Sequence, residues 1–245
     1  DFESFDSKSR TWKLKEGVVD SSPLSDTPRP GNAKFKKLTP VDPNSTNPYQ
    51  LTEADRTVIG NTTPKFSGGF GLNATYKGFD MSMFFNFMYD FDVLNANKIM
   101  LTTWADNKEN NFLMDIASDK RWRNFDDMGN EIRYSPEVLA EFNKNATMWN
   151  PTSIGRPICM SYAVEDGSFL RLNSATLGYT LPSVWTKKVG LSKVRFYVSG
   201  NNLFTLTGYS GYDPEVNIAT GLTPNIDYNR YPRSRTYTFG AQLTF

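Results

Sequence analysis

At 245 residues and a formal net charge of +1, with 27 Lys and Arg against 26 Asp and Glu, the chain lacks the dense basic patch that neutralising phosphates requires, so nucleic acid is set aside as a partner. Histidine is absent, which removes the commonest general base, the commonest transition-metal ligand and any Ser-His-Asp triad. Cys159 stands alone, so no intrachain disulfide or thiolate cluster can form, and no catalytic centre, cofactor or metal is expected.

The aromatic content is 14%, with eighteen Phe and twelve Tyr, and the girdles of a membrane barrel are one account of it. No apolar run reaches the roughly 18 residues of a transmembrane helix, but barrel strands hide their lipid face in alternation and are not excluded by this. The chain begins at Asp1 without an initiator Met, a basic stretch or an apolar leader, so no export signal is visible; either it was removed or the sequence is a fragment.

Residues 1–63 are polar and carry Pro23, Pro28, Pro30, Pro40, Pro43 and Pro48, too closely spaced for a long helix or a central strand. A loop region is expected, with one short strand at 11–14. Asp42, Asn44, Glu53 and Asp55 bring hard oxygens together, but their spacing does not match the twelve-residue calcium loop, and they read as solvated loop residues.

Residues 64–94 read as a transmembrane hairpin. Phe66, Gly68, Phe70, Leu72, Ala74 and Tyr76 alternate with polar or small residues, Gly78 turns the chain, and Phe79, Met81, Met83, Phe85, Phe87, Tyr89 and Phe91 continue the alternation, with Phe84 and Met88 out of phase. Strand alternation explains the Met and Phe stripe without a cofactor. Gly68-Gly69-Phe70-Gly71 lies within a strand and so is not a phosphate loop.

Residues 95–165 lose the alternation and read as a long loop holding Trp104, Trp122 and Trp149. Ser135 and Pro136 open a short helix whose apolar side is Val138, Leu139 and Phe142. Asp119, Lys120, Arg121, Arg123, Asp126 and Asp127 read as a solvated salt-bridge network. Residues 166–208 give two strands; Leu170 and Leu172 are out of phase with Ala175, Leu177 and Tyr179, which requires a bulge near Asn173. Residues 183–190 between them predict a helical turn stopped by Gly190. Residues 209–232 form a further loop with Tyr209 and Tyr212, and 233–245 the final strand, where Tyr237, Phe239, Ala241, Leu243 and Phe245 share one face.

If strands alternate in direction, the segments 1–63, 95–165 and 209–232 share one end, the layout of an outer-membrane barrel with long extracellular loops. Five strands cannot close, and an open edge in hydrocarbon is costly, so the chain is expected to be the carboxy-terminal part of a larger barrel. Phe85, Phe196 and Phe239 are expected to face lipid, and Arg195 and Asp90 the lumen.

Several stretches also carry a family resemblance. Pro28-Arg29-Pro30-Gly31-Asn32-Ala33-Lys34-Phe35, Asp55-Arg56-Thr57-Val58-Ile59-Gly60-Asn61, Pro64-Lys65-Phe66-Ser67-Gly68-Gly69 and Tyr76-Lys77-Gly78-Phe79-Asp80 occur in that order. Asp166-Gly167-Ser168-Phe169-Leu170-Arg171-Leu172, Ser199-Gly200-Asn201-Asn202-Leu203-Phe204-Thr205, Gly211-Tyr212-Asp213-Pro214-Glu215 and Tyr231-Pro232 follow. In this set and order the chain resembles the carboxy-terminal barrel of SusC/RagA-type TonB-dependent transporters of Bacteroidetes. The family often has an acidic, glycine-containing run before the Asp-Arg-Thr-Val-Ile-Gly motif; 41–54 lacks those glycines, which weakens any carried-over calcium site.

The resemblance implies an all-β fold, a transmembrane antiparallel barrel of about twenty-two strands with an amino-terminal plug. It also implies a place in the outer membrane of a Gram-negative bacterium, TonB engaged through an upstream region, and a SusD-like surface lipoprotein as partner. The expected function is import of an oligosaccharide or other oligomeric nutrient, with an oligopeptide importer of the same family as the alternative. A barrel enzyme is disfavoured by the absence of histidine, and a surface adhesin or water-soluble β-sandwich is the remaining alternative. Trp104, Trp122, Trp149, Tyr209 and Tyr212 are the candidate substrate contacts, because flat rings with a polar edge stack on sugars.

Overall fold

The computed structural model of the chain describes residues 1–103, 111–117, 119–154, 158–216, 224–229 and 231–245. They form two compact units, one of residues 1–59 and 96–163 and the other of residues 60–95 and 164–245. In chain order the strands are β1 (Phe2–Asp6), β2 (Thr11–Leu14), β3 (Phe66–Tyr76), β4 (Phe79–Tyr89), β5 (Asp92–Asn95), β6 (Val164–Asp166), β7 (Phe169–Thr180), β8 (Lys193–Thr207), β9 (Ile226–Asp227) and β10 (Thr236–Thr244). The helices are α1 (Ala96–Met100), α2 (Pro136–Phe142) and α3 (Ser183–Thr186), and five short 3-10 turns lie elsewhere among the described residues. No helix among the described residues is long and apolar enough to cross a membrane, which says nothing of crossing by strands.

The second unit is built on a five-stranded antiparallel sheet in the order β10-β8-β7-β4-β3. β3 and β4 are joined by Lys77 and Gly78 at φ 45° and 88°, the two positive values that a hairpin loop matching the strand twist requires. The register between β7 and β8 slips between Leu172 and Ser174, so Asn173 is opposed by Asn202 and Leu203. Against β4, Phe84 pairs with Ser174 and Phe85 with Leu172, so Asn173 is the extra residue and supplies the bulge required by the change of phase in the sequence, while in the slip against β8 the extra residue lies on β8. Asn202 sits there at φ 53°, a conformation asparagine tolerates better than most residues.

Register also fixes the two ends of the sheet. Phe66 lies opposite Tyr89, Met88 opposite Phe169, and Phe169 opposite Thr207 at one end. Tyr76 lies opposite Phe79, Thr180 opposite Arg195, and Thr244 opposite Lys193 at the other. The first end receives the connections 90–168 and 208–235; the second has only the Lys77-Gly78 turn and residues 181–192. That second link contains α3 and stops at Gly190, φ 75°, as the sequence predicts.

A second sheet of three short strands, β6-β5-β9, was not anticipated. Strands of two to four residues are too short to leave a periodicity. The core of this unit is a buried cluster of Phe91, Val93, Phe169, Tyr209 and Val216, with Met88 packed on it.

The first unit holds the β1–β2 hairpin and α2 among irregular segments. α2 begins where Ser135-Pro136 places it, although the Ser135 side chain makes no capping bond. Leu139 is buried and Phe142 lies beneath the Arg123 guanidinium at 4.5 Å, but Val138 faces outward, contrary to expectation. On the helix surface Phe142 neighbours both Val138, four residues before it, and Leu139, three before it, so spacing alone does not decide which of the two is buried.

Candidate functional site

Register sorts the five-stranded sheet into two chemically opposite faces. One carries, strand by strand, Phe66, Phe70, Leu72, Ala74 and Tyr76; Phe79, Met81, Met83, Phe85, Phe87 and Tyr89; Leu170, Leu172, Ala175, Leu177 and Tyr179; Val194, Phe196, Val198, Phe204 and Leu206; and Tyr237, Phe239, Ala241 and Leu243. Gly68 and Gly200 complete it, and no polar or charged side chain other than the tyrosine hydroxyls interrupts it. Much of it is uncovered: Phe239 is 80% exposed, Phe196 52% and Leu177 48%. Phe85 is half-buried because Phe70 stacks on it at 4.9 Å. Tyr76, Phe79, Tyr179 and Phe196 form one row of rings across four neighbouring strands.

The opposite face carries Ser67, Asn73, Thr75, Asp80, Ser82, Asn86, Thr176, Arg195, Ser199, Thr238 and Gln242. Across it Arg195 forms a bidentate ion pair with Asp80, Nε and Nη2 on one edge of the guanidinium each donating to one carboxylate oxygen. Its guanidinium lies over Gly178, where an added Cβ would stand 2.4 Å from Arg195 Nη2. Phe84, out of phase in the sequence, covers Gly69 in the same way.

At the end that receives the long connections, two motifs distant in sequence meet. Arg171, 3% exposed on β7, forms an ion pair with Asp213 and lies 3.5 Å from Glu215, whose other oxygen takes Arg233 at 2.8 Å. Asp213 also accepts the Glu215 amide at 2.9 Å. Asp166 accepts from both the amide and the hydroxyl of Ser168, and a Cβ on Gly167 would come within 2.7 Å of the Phe91 ring and Val93. The segment 209–216 is thereby fastened beside β7.

No protein-family model matches the chain. It is 35% identical over 202 residues to TonB-dependent receptor P3 of Formosa agariphila, covering 80% of this chain and 18% of that protein. It is 38% identical over 88 residues to TonB-dependent receptor SusC of Bacteroides thetaiotaomicron, 34% of this chain and 8% of that one. A structure of the RagAB peptide transporter aligns with a TM-score of 0.50 at 26% identity, over 75% of this chain and 17% of the other. The RagAB peptide importer in its closed-closed state aligns over the whole chain and 22% of its counterpart, TM-score 0.55 at 24% identity, a likeness of fold. The chain belongs to the SusC/RagA-type TonB-dependent transporters. Its match spans about a fifth of the length of receptor P3 and of the RagAB chains and 8% of SusC, and its fold is part of their all-β barrel.

In this chain the aromatic candidates have different surroundings. Trp104 lies outside the described residues. Trp122 is half-buried against Gly31, whose φ of 89° leaves the ring edge room that a Cβ, at 2.8 Å, would take. Trp149 donates its indole N–H to the Thr102 carbonyl at 2.9 Å and meets Tyr162 edge-on.

Tyr209 is only 6% exposed, and its hydroxyl donates to Asp227 at 2.7 Å. Burial pushes its phenol pKa well up, and the ring offers no face to a ligand. Its apolar neighbours could not be paired with it from sequence. Tyr212, by contrast, is 82% exposed. Asp90, at the end of β4, is held by Lys65 and donates its amide to Ser168 Oγ.

Asp55 corrects the expectation of a solvated loop residue. One carboxylate oxygen accepts the Leu38 and Thr39 amides and the Thr39 hydroxyl at 2.7–2.9 Å; the other accepts the Thr52 amide at 2.8 Å and lies 3.5 Å from Lys37 Nζ. These bonds, the Thr39 amide first, hold its carboxyl far below the usual carboxylate range. With its lone pairs engaged by protein donors, Asp55 organises the loop. Arg171 and Asp213 were missed as a pair, although Arg171 stood out as the one charge in the apolar stretch 169–172.

Proposed function

We propose that this chain forms a stretch of barrel wall in the outer membrane of a Gram-negative bacterium, and that the complete protein imports an oligomeric nutrient. In this reading Phe85, Phe196 and Phe239 face lipid, the Asp80–Arg195 face lines the lumen, and 1–63, 95–165 and 209–232 lie outside the cell. Uptake is energised through TonB, and a SusD-like lipoprotein works with the surface loops. The observation that carries the reading is the uninterrupted apolar face backed by a polar one. Water would leave such a face unsatisfied, whereas hydrocarbon matches it and strands satisfy their backbone groups laterally.

Within this reading the first substrate class is an oligosaccharide. The open Tyr212 ring suits stacking on a sugar face, whereas the buried Tyr209 does not. An oligopeptide is the second class, favoured by the structural neighbours described as peptide importers. A strain deleted for the gene, complemented with the wild type, tests both by growth on oligosaccharide or oligopeptide pools as sole carbon source. Loss of growth on one pool alone, restored by the wild type, is the expected result. Unimpaired growth of the deletion strain on both would overturn the proposal, and hydrolysis of either pool by the purified protein would favour the enzyme alternative.

A further inference from the structure

The end of the sheet that bears short connections has a chemistry of its own. Residues 76–79 and 181–192 contain Lys77, Lys187 and Lys188 and no Asp or Glu. All three lysines are exposed, and no carboxylate among the described residues pairs with any of them. Beside the lysines stand Val184, Trp185 and Val189, 69%, 60% and 71% exposed.

The connections form a continuous rim. Thr180 donates its amide to the Gly78 carbonyl at 2.8 Å, tying the 181–192 link to the hairpin turn, and Ser192 donates to Thr244 at 2.8 Å, tying it to β10. The link joins β7 and β8, each already flanked by strands of this chain on both sides, so no further strand of the same sheet can cover it. The row Tyr76, Phe79, Tyr179 and Phe196 ends the apolar face next to this rim, and Lys77 Nζ lies 5.2 Å over the Tyr76 ring.

From this juxtaposition we propose that the rim is a docking surface for anionic phospholipid headgroups: Trp185, Val184 and Val189 sit at headgroup depth, and Lys77, Lys187 and Lys188 meet the phosphates. The proposal rests on the reading of the apolar face as lipid-facing. Indole rings favour the membrane–water interface, and lysines next to an anionic surface add attraction that acts within a Debye length. The occupant follows from charge complementarity and from continuity with the aromatic row; a protein partner would have to supply acidic groups at that same rim.

The test uses the full-length polypeptide that contains this chain, inserted into nanodiscs of phosphatidylcholine with a small fraction of phosphatidylglycerol. Phosphatidylglycerol retention is read by native mass spectrometry. The K77Q/K187Q/K188Q variant is expected to retain it less strongly, by about fivefold per lysine removed, and 0.5 M salt should bring the wild type to the same level. W185A is expected to weaken retention of both lipids alike.

Equal retention by the lysine variant and the wild type overturns the proposal. So does lost uptake in cells with retention unchanged, which assigns the rim to a protein. Failure of the wild type to insert overturns the lipid-facing reading as well, and so separates the two failures.

Discussion

Asp55 holds a loop region that has almost no regular structure around it. Because its folded-state pKa is depressed, the stabilisation is fully present above the unfolded value of about 3.9 and declines as pH falls from there toward the folded value. Hydrogen-exchange protection of the Leu38 and Thr39 amides, corrected for intrinsic rates, should therefore be constant from pH 7 to 5 and fall below about pH 4. Asp55→Asn should lack protection at pH 7 and lose the pH dependence. A wild-type profile flat down to pH 2 would place those bonds elsewhere. On the sheet, Phe239→Arg should destabilise the assembled barrel by about 2–4 kcal/mol if its position is near the bilayer midplane, and Thr238→Arg on the other face much less. Denaturant titration in lipid measures both, and equal losses would contradict the facing.

The elements differ in how plainly the sequence announced them. β3, β4, β7, β8 and β10 were legible because side chains on the two faces meet different surroundings, so the period of two runs over 9 to 15 residues. Even the bulge at Asn173 was legible, as a change of phase. β5, β6 and β9 were not, because they are too short and are held by the Phe91–Val93–Phe169 cluster.

Of the candidate site, aromatic residues could be picked out by type, but not which of them pack inward. Tyr209 and Tyr212 lie three residues apart in one loop, and tertiary contacts alone divide them. The Arg171 clamp was invisible for the same reason, since its partners lie over forty positions away. Replacing Arg171 with Ala should cost about 3–5 kcal/mol, because Asp213 and Glu215 are left without their buried cation. Lys is a poor substitute where a planar fork serves two carboxylates. Limited proteolysis in lipid should then cut within 209–216 in both Arg171→Ala and Arg171→Lys, and resistance equal to the wild type would remove the clamp from the account.

At the scale of the whole molecule, the decisive feature is that, among the described residues, β3 and β10 each have a free edge in the five-stranded sheet. An unpaired peptide group in hydrocarbon costs several kcal/mol, and each edge offers a row of them, a larger sum than the marginal stability of a folded domain, about 5–15 kcal/mol. An apolar face in lipid therefore demands that the sheet continue on both sides, whether through more of the same polypeptide or through another chain. These 245 residues refolded alone into detergent or lipid should give aggregated, protease-sensitive material. Refolded together with the remainder of a full-length polypeptide they should enter a protease-resistant barrel whose electrophoretic mobility changes on heating. A monodisperse barrel from this chain alone would mean that β3 and β10 pair with each other or with a second copy, and the apolar face would then line a small closed barrel rather than one sector of a large wall.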